Sequence, residues 1–121
     1  MALIAVVDDE FLLADLLASL LVGEGHEVMT APHGRAALQT IRDRKPALVI
    51  TDFMMPLMTG LELAQTLRAD EGLKDIPVIL VTGAQGAAAR EQHDGLFAAI
   101  FDKPYDRKKM LETVAELLDC P

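Results

Sequence analysis

Cysteine is almost absent from this chain. The single copy, Cys120, has no partner for an internal disulfide, so nothing calls for an oxidising compartment, and a cytoplasmic setting is expected. Basic residues are also scarce: 11 Lys and Arg stand against 19 Asp and Glu, a formal net charge of −8. That balance argues against nonspecific binding to nucleic acid or to an anionic membrane, and it suits a cation or a basic partner. No apolar run reaches the roughly 18 residues of a membrane span. The nearest, 11–22, is interrupted by Asp15 and Ser19. The first ten residues, MALIAVVDDE, lack a basic leading region, and a signal peptide is not expected. Internal repeats, low-complexity tracts and linkers are missing too. Residues 1–121 are therefore expected to form one domain, with enough chain for a core.

What remains is a regular alternation. Short apolar, β-branched runs lie at Leu3–Val7, Val28–Thr30, Ala47–Thr51, Val78–Val81 and Ala98–Phe101. Continuous apolar runs of this length suit parallel strands covered on both faces. Helical patterns fall between them at 10–22, 34–44, 60–70 and 106–119, with a weaker one at 84–95. The punctuation agrees. Gly23 and Gly25 stop the first helix, and Pro46 follows the second. Thr59 with Glu62 makes a capping box for the third, and Asp106 can cap the last. Strands alternating with helices predict an α/β fold, a doubly wound five-stranded parallel sheet with helices on both faces.

In such sheets, sites form beyond the carboxyl ends of the strands. Four strands deliver polar groups to that edge: Asp8, Asp9 and Glu10 after the first, Asp52 after the third, Thr82 after the fourth, and Lys103-Pro104 after the fifth. Asp8, Asp9 and Asp52 in one cleft would raise one another's pKa unless a cation intervened. Mg²⁺ fits, because it takes oxygen ligands and keeps positions for water and phosphate oxygens. The plainer reading of Asp8 and Asp9 is capping of the first helix, whose dipole favours acids. Asp52 is a candidate nucleophile toward a phosphoryl group, forming an acyl phosphate. Such a transfer needs charge stabilisation on the equatorial oxygens, which Mg²⁺, the Lys103 ammonium and the Thr82 hydroxyl can supply. Lys103 precedes a proline, which restricts its backbone and permits a cis peptide bond.

These residues bring a family into view. VVDDE after strand one, DFMMPLMTG after strand three, VTG after strand four and DKP after strand five occur in order. The chain resembles, over essentially its whole length, a receiver domain of the two-component response regulators. The resemblance implies a flavodoxin-like sheet of order 2-1-3-4-5. It implies that Asp52 is the phospho-acceptor, served by a sensor histidine kinase or a histidine phosphotransfer protein. Asp8, Asp9, Asp52 and the backbone carbonyl of Met54 are implied as Mg²⁺ ligands, and Thr82 and Lys103 as contacts to the phosphoryl oxygens. Pro56 and Gly60 are expected to shape the loop, with Met55 and Met58 packing beneath it. The implied activity is a stand-alone, phosphorylation-dependent signalling switch that acts through a partner protein. No turnover is expected beyond self-phosphorylation and autodephosphorylation at Asp52. The protein is expected to be a monomer or weak dimer.

The sequence departs from that pattern in two places. Many members carry an aromatic residue three positions before the lysine; here it is Ile100, and strand alternation sends the neighbouring Phe101 to the other face. Residues 83–95, GAQGAAAREQHDG, hold three glycines and four alanines, so a helix there has few anchors and is expected to be mobile. Output is expected to use residues 84–110. The first helix, FLLADLLASLLV, is apolar nearly all round: either it is well buried or it carries a partner patch. His26, His33 and His93 show no metal-ligand spacing.

Three other readings compete. A haloacid dehalogenase-type phosphatase puts its nucleophile after strand one in a D-x-D pattern, whereas these acids are adjacent. A flavodoxin-like electron carrier needs a phosphate-cradling loop after strand one, where this chain has acids. A phosphorylation-independent, receiver-like binding module has no need of the acids, which are all present.

Overall fold

A computed structural model describes residues 2–55, 57–83 and 95–119. The weak helical segment at 84–95, with His93, lies almost wholly outside these, as do Pro56 and Cys120. Among the described residues nine elements follow in order: β1 (Leu3–Val7), α1 (Phe11–Gly23), β2 (Glu27–Ala31), α2 (Gly34–Arg44), β3 (Leu48–Asp52), α3 (Gly60–Ala69), β4 (Val78–Thr82), β5 (Ala99–Asp102) and α4 (Arg107–Asp119). The strands form one parallel sheet of order β2-β1-β3-β4-β5, as expected.

Strand alternation divides the core in two. Ala5, Val7, Val49 and Val78 point to one face, where Leu38 and Ile41 of α2 and Leu63 and Leu67 of α3 cover them. Ile4, Val6, Leu48, Ile50, Ile79 and Val81 point to the other, under Ala14, Leu17 and Leu21 of α1 and Met110 and Val114 of α4. Both faces of β1, β3 and β4 are therefore dry, which is why these strands read as unbroken apolar runs.

Local chemistry sets most helix ends. Thr59 Oγ1 accepts from the Glu62 N–H at 3.1 Å, while Glu62 Oε1 accepts from the Thr59 N–H at 2.9 Å, so the capping box forms. Asp106 Oδ1 accepts from the Lys108 and Lys109 N–H groups at 2.8 and 3.2 Å. His33 caps α2, its Nδ1 accepting from the Ala36 N–H at 3.3 Å. α1 is different: its N-cap residue, Glu10, makes no side-chain capping bond.

Candidate functional site

The order 2-1-3-4-5 reverses direction between β1 and β3, and a crevice opens there beyond the carboxyl ends of the strands. β1 ends at Val7, so Asp8 follows on one lip of the crevice. β3 ends at Asp52 itself, whose Cα is in register with Val81 of β4. Thr82 closes β4 beside Asp102, the last residue of β5, and Lys103 comes next. The Lys103–Pro104 peptide is cis.

The loop after β3 is packed down onto the strand end. Met55 is buried, and Met58 packs against the same core cluster. The Gly60 N–H donates to the Phe53 carbonyl at 2.9 Å. A Cβ at position 60 would overlap the Asp52 carbonyl oxygen, so only glycine allows the loop to close this tightly over the strand. Met54 sits in the loop with its side chain exposed.

Asp52 is 7% exposed, and its Oδ1 lies 3.0 Å from Lys103 Nζ. The same ammonium is 4.0 Å from Glu10 Oε1. One cation therefore serves several acids. Burial pushes the Asp52 carboxyl above its usual range. The Lys103 hydrogen bond and charge and the Phe53 N–H oppose that rise, and Asp9 adds to it. Burial also pushes Asp8 up, to about 6; the Glu10 N–H, donating to its Oδ1 at 2.9 Å, opposes the shift, and the charge of Asp52 reinforces it. Burial works against the Lys103 ammonium, but the hydrogen bond to Asp52 and the surrounding acids outweigh it and hold its pKa above the ordinary value. Thr82 is fully buried, and its Oγ1 has no hydrogen-bond partner among the described residues.

The structure places Asp8, Asp52, Thr82 and Lys103 at this edge, with Asp9 exposed beside Asp8. The grouping among the acids is finer than the sequence reading had it. Carboxylate oxygens of Asp8, Asp9 and Glu10 lie within 4.8 Å of one another, whereas Asp52 is engaged by Lys103. Glu10, which the sequence places at this edge with the two aspartates, is not counted among the expected ligands. Its only signal was its place directly after the two aspartates. Glu10 makes no side-chain cap on α1, but Asp8 Oδ1 accepts from the Glu10 N–H at 2.9 Å, so an acid does bond at the start of that helix. An all-oxygen, partly exposed acidic group of this kind is suited to a hard divalent cation, and Mg²⁺ fits it. Of the described histidines, His33 caps α2, and His26 lies just before β2, at the opposite end of that strand from Asp8.

The crevice continues into a cavity of about 380 Å³ between α1 and α4, lined by Leu13, Leu16, Leu17 and Tyr105 as well as Asp52 and Lys103. Phe101 packs on this side of the sheet, its ring edge-on to Tyr105 with centroids 6.1 Å apart, while Ile100 is half-buried on the other.

Relatives carry the same arrangement of strands and helices. Over 117 residues the chain is 32% identical to the polar-differentiation response regulator DivK of Brucella anthropi, a match covering 95% of this chain and 94% of that protein. It is 39% identical over 79 residues to the DNA-binding response regulator MtrA of Mycobacterium tuberculosis, covering 65% of this chain; the chain spans about a third of the length of that relative. Among solved structures, the chemotaxis response regulator CheY4 of Vibrio cholerae superposes with a TM-score of 0.88 at 27% identity, covering 98% of this chain and 99% of that one. The signal receiver domain of a signal transduction histidine kinase from Syntrophus aciditrophicus gives 0.89 at 28% identity, covering 98% and 90%. The family described as the response regulator receiver domain matches residues 4–115. With the sheet order and strand-end residues already in place, that match makes the chain a member of the response regulator receiver domain family.

Proposed function

We propose that this chain is a phosphorylation-dependent switch in which Asp52 accepts a phosphoryl group from a phosphohistidine of a sensor kinase or phosphotransfer protein. The observation that carries the reading is the pairing of a buried Asp52 with Lys103 at 3.0 Å, next to a buried Thr82 hydroxyl that has no other use among the described residues. An Asp52 carboxylate oxygen attacks phosphorus. The new O–P bond forms an acyl phosphate, the P–N bond breaks, and its electron pair returns to the imidazole nitrogen, which takes up a proton. Lys103 holds Asp52 ionised before transfer and contacts a phosphoryl oxygen after it. Thr82 donates its hydroxyl to another. Asp8 and Asp9, with the Met54 carbonyl, would hold Mg²⁺, which when bound offsets the clustered negative charge and polarises the phosphoryl group.

The rest of the reading follows from that step. Residues 1–121 act as one receiver domain in the cytoplasm, and output passes to a partner protein through the surface within 84–110. Turnover is limited to self-phosphorylation and autodephosphorylation. Among the described residues no helix is long and apolar enough to cross a membrane. Incubation with Mg²⁺ and acetyl phosphate should raise the intact mass by one phosphoryl group, and Asp52→Asn should abolish the rise. An unchanged mass for the native protein, or equal labelling of Asp52→Asn, would defeat the reading.

A further inference from the structure

The cavity between α1 and α4 has a chemistry of its own. Leu13, Leu16 and Leu17 of α1 line it, and so does Ile50 of the sheet. Its volume of about 380 Å³ falls in the range of small-molecule sites, about 300 to 1,000 Å³. Such sites are mostly apolar, with a few polar groups that fix the ligand's orientation.

The charged residues on the lining are Asp8, Asp52, Lys103 and Arg107. They are not equally engaged. Lys103 Nζ lies 3.0 Å from Asp52 Oδ1, so these two charges match each other. Arg107 is exposed, and water and salt screen it. Asp8 is half-buried and makes no ion pair among the described residues; its Oδ1 accepts from the Glu10 N–H. Tyr105 lines the same cavity and feels the Asp8 carboxylate. Burial first, and then the charge of Asp8, push the Tyr105 hydroxyl above its ordinary value, while Lys103 and Arg107 oppose the rise. An uncompensated carboxylate, an aromatic ring and an apolar wall are what an organic ammonium needs: charge pairing, cation–π attraction and burial of its hydrocarbon.

We infer that this cavity binds a small primary amine with an apolar or aromatic body, its ammonium held by Asp8 and the Tyr105 ring and its body against Leu13, Leu16 and Leu17. An alcohol of the same shape gains the apolar contacts but not the charge pairing. A carboxylate of the same shape meets Asp8 and Asp52 and has only the screened Arg107 in its favour. The net charge of −8 works in the same direction, drawing cations toward the chain.

The site has a consequence for the switch. One Asp8 carboxylate cannot hold an ammonium and Mg²⁺ together, so amine and ion weaken each other's binding equally. A bound amine then keeps the ion from the acceptor. This competition rests on the Mg²⁺ role proposed for Asp8; the amine site itself does not.

Titration of the isotope-labelled full chain with phenethylamine, phenethyl alcohol and phenylpropanoate tests the site by NMR shift changes, near neutral pH and without magnesium. The amine should bind saturably, shifting Leu13, Leu16 and Tyr105, and about tenfold or more tightly than the alcohol. The carboxylate should bind more weakly than either. Asp8→Asn should bring the amine down to the affinity of the alcohol. Leu16→Gln, at an exposed position, should weaken both about threefold or more. An absence of saturable amine binding, equal affinities for amine and alcohol in the native chain, tightest binding of the carboxylate, or an amine affinity that neither substitution changes would each overturn the inference. Magnesium chloride should weaken the amine and leave the alcohol as it was. If it leaves the amine unchanged while Asp8→Asn still weakens it, the Mg²⁺ role of Asp8 fails and the amine site stands.

Discussion

Thr82 ends β4 with a buried hydroxyl, and its Oγ1 has no hydrogen-bond partner among the described residues. An unsatisfied buried hydroxyl costs about 1 kcal/mol or more. Thr82→Val keeps the shape and removes that cost. We expect the variant to melt roughly 4 °C above the native protein, and to be labelled more slowly by acetyl phosphate because a donor to the phosphoryl group is lost. A variant that melts lower instead would mean that Oγ1 is satisfied in solution and is not held in reserve. Asp52 shows the complementary situation: it is nearly as buried, but Lys103 compensates it at 3.0 Å. Among the described residues, then, one of these polar groups is compensated and the other is not.

At the scale of elements, the parts that could be read from the sequence are those decided by near neighbours. The capping box at Thr59 and Glu62, the Asp106 cap and the apolar strand runs all depend on contacts within a few residues; both caps form as the pattern placed them, and β3 and β5 each begin and end one residue later than expected. Ends defined by weaker signals moved: β2 runs over Glu27–Ala31 rather than 28–30, since pairing with β1 extends it beyond its apolar centre. What could not be read depends on distant partners. Arg68 at the end of α3 donates to the carbonyls of Lys74, Ile76 and Leu96 at 2.7, 3.0 and 3.1 Å, and ties the approaches to β4 and β5 to α3. Nothing in its own sequence neighbourhood marks it. The α1–α4 groove and the turn of Tyr105 onto Phe101 are of the same kind. Gly60 lies between these cases: the motif suggested a loop glycine, but only the fold shows that the Asp52 carbonyl oxygen occupies the place of its Cβ. Gly60→Ala should therefore cost about 2 kcal/mol by forcing the loop off the strand end. Gly72→Ala serves as the control, because its Cβ would meet nothing nearer than 3.5 Å. Chemical denaturation distinguishes them; equal losses for both would remove the steric explanation.

For the whole molecule, the net charge of −8 includes a group of acids, Asp8, Asp9 and Glu10, gathered at the carboxyl edge of the sheet. Asp8 titrates near 6 in the folded protein, against an ordinary value of 3.8, chiefly because burial disfavours its charged form. A raised carboxyl pKa means that the folded state holds its proton more tightly than the unfolded chain does. The resulting stability is fully present below the ordinary pKa and is lost as pH rises through about 6. Asp52 is shifted in the same direction and adds to the trend. Lys103, raised above its ordinary value, keeps its contribution until alkaline pH. Without magnesium, then, Asp8→Asn should be more stable than the native chain near neutral pH, and that advantage should shrink on acidification to about pH 4.5. Asp8 is only partly buried, so solvent screening limits the difference to about 1 kcal/mol, or roughly 4 °C in melting temperature. Magnesium should close the gap from the other side by raising the melting temperature of the native protein near neutral pH. Its effect should fade below pH about 6, where protons compete for Asp8, and should be weak at any pH in Asp8→Asn. Thermal melts of the two proteins across pH, with and without the ion, separate the parts of this expectation. A magnesium response independent of pH, or undiminished in Asp8→Asn, would remove Asp8 from the ion's ligands and leave its raised pKa as a cost of burial alone.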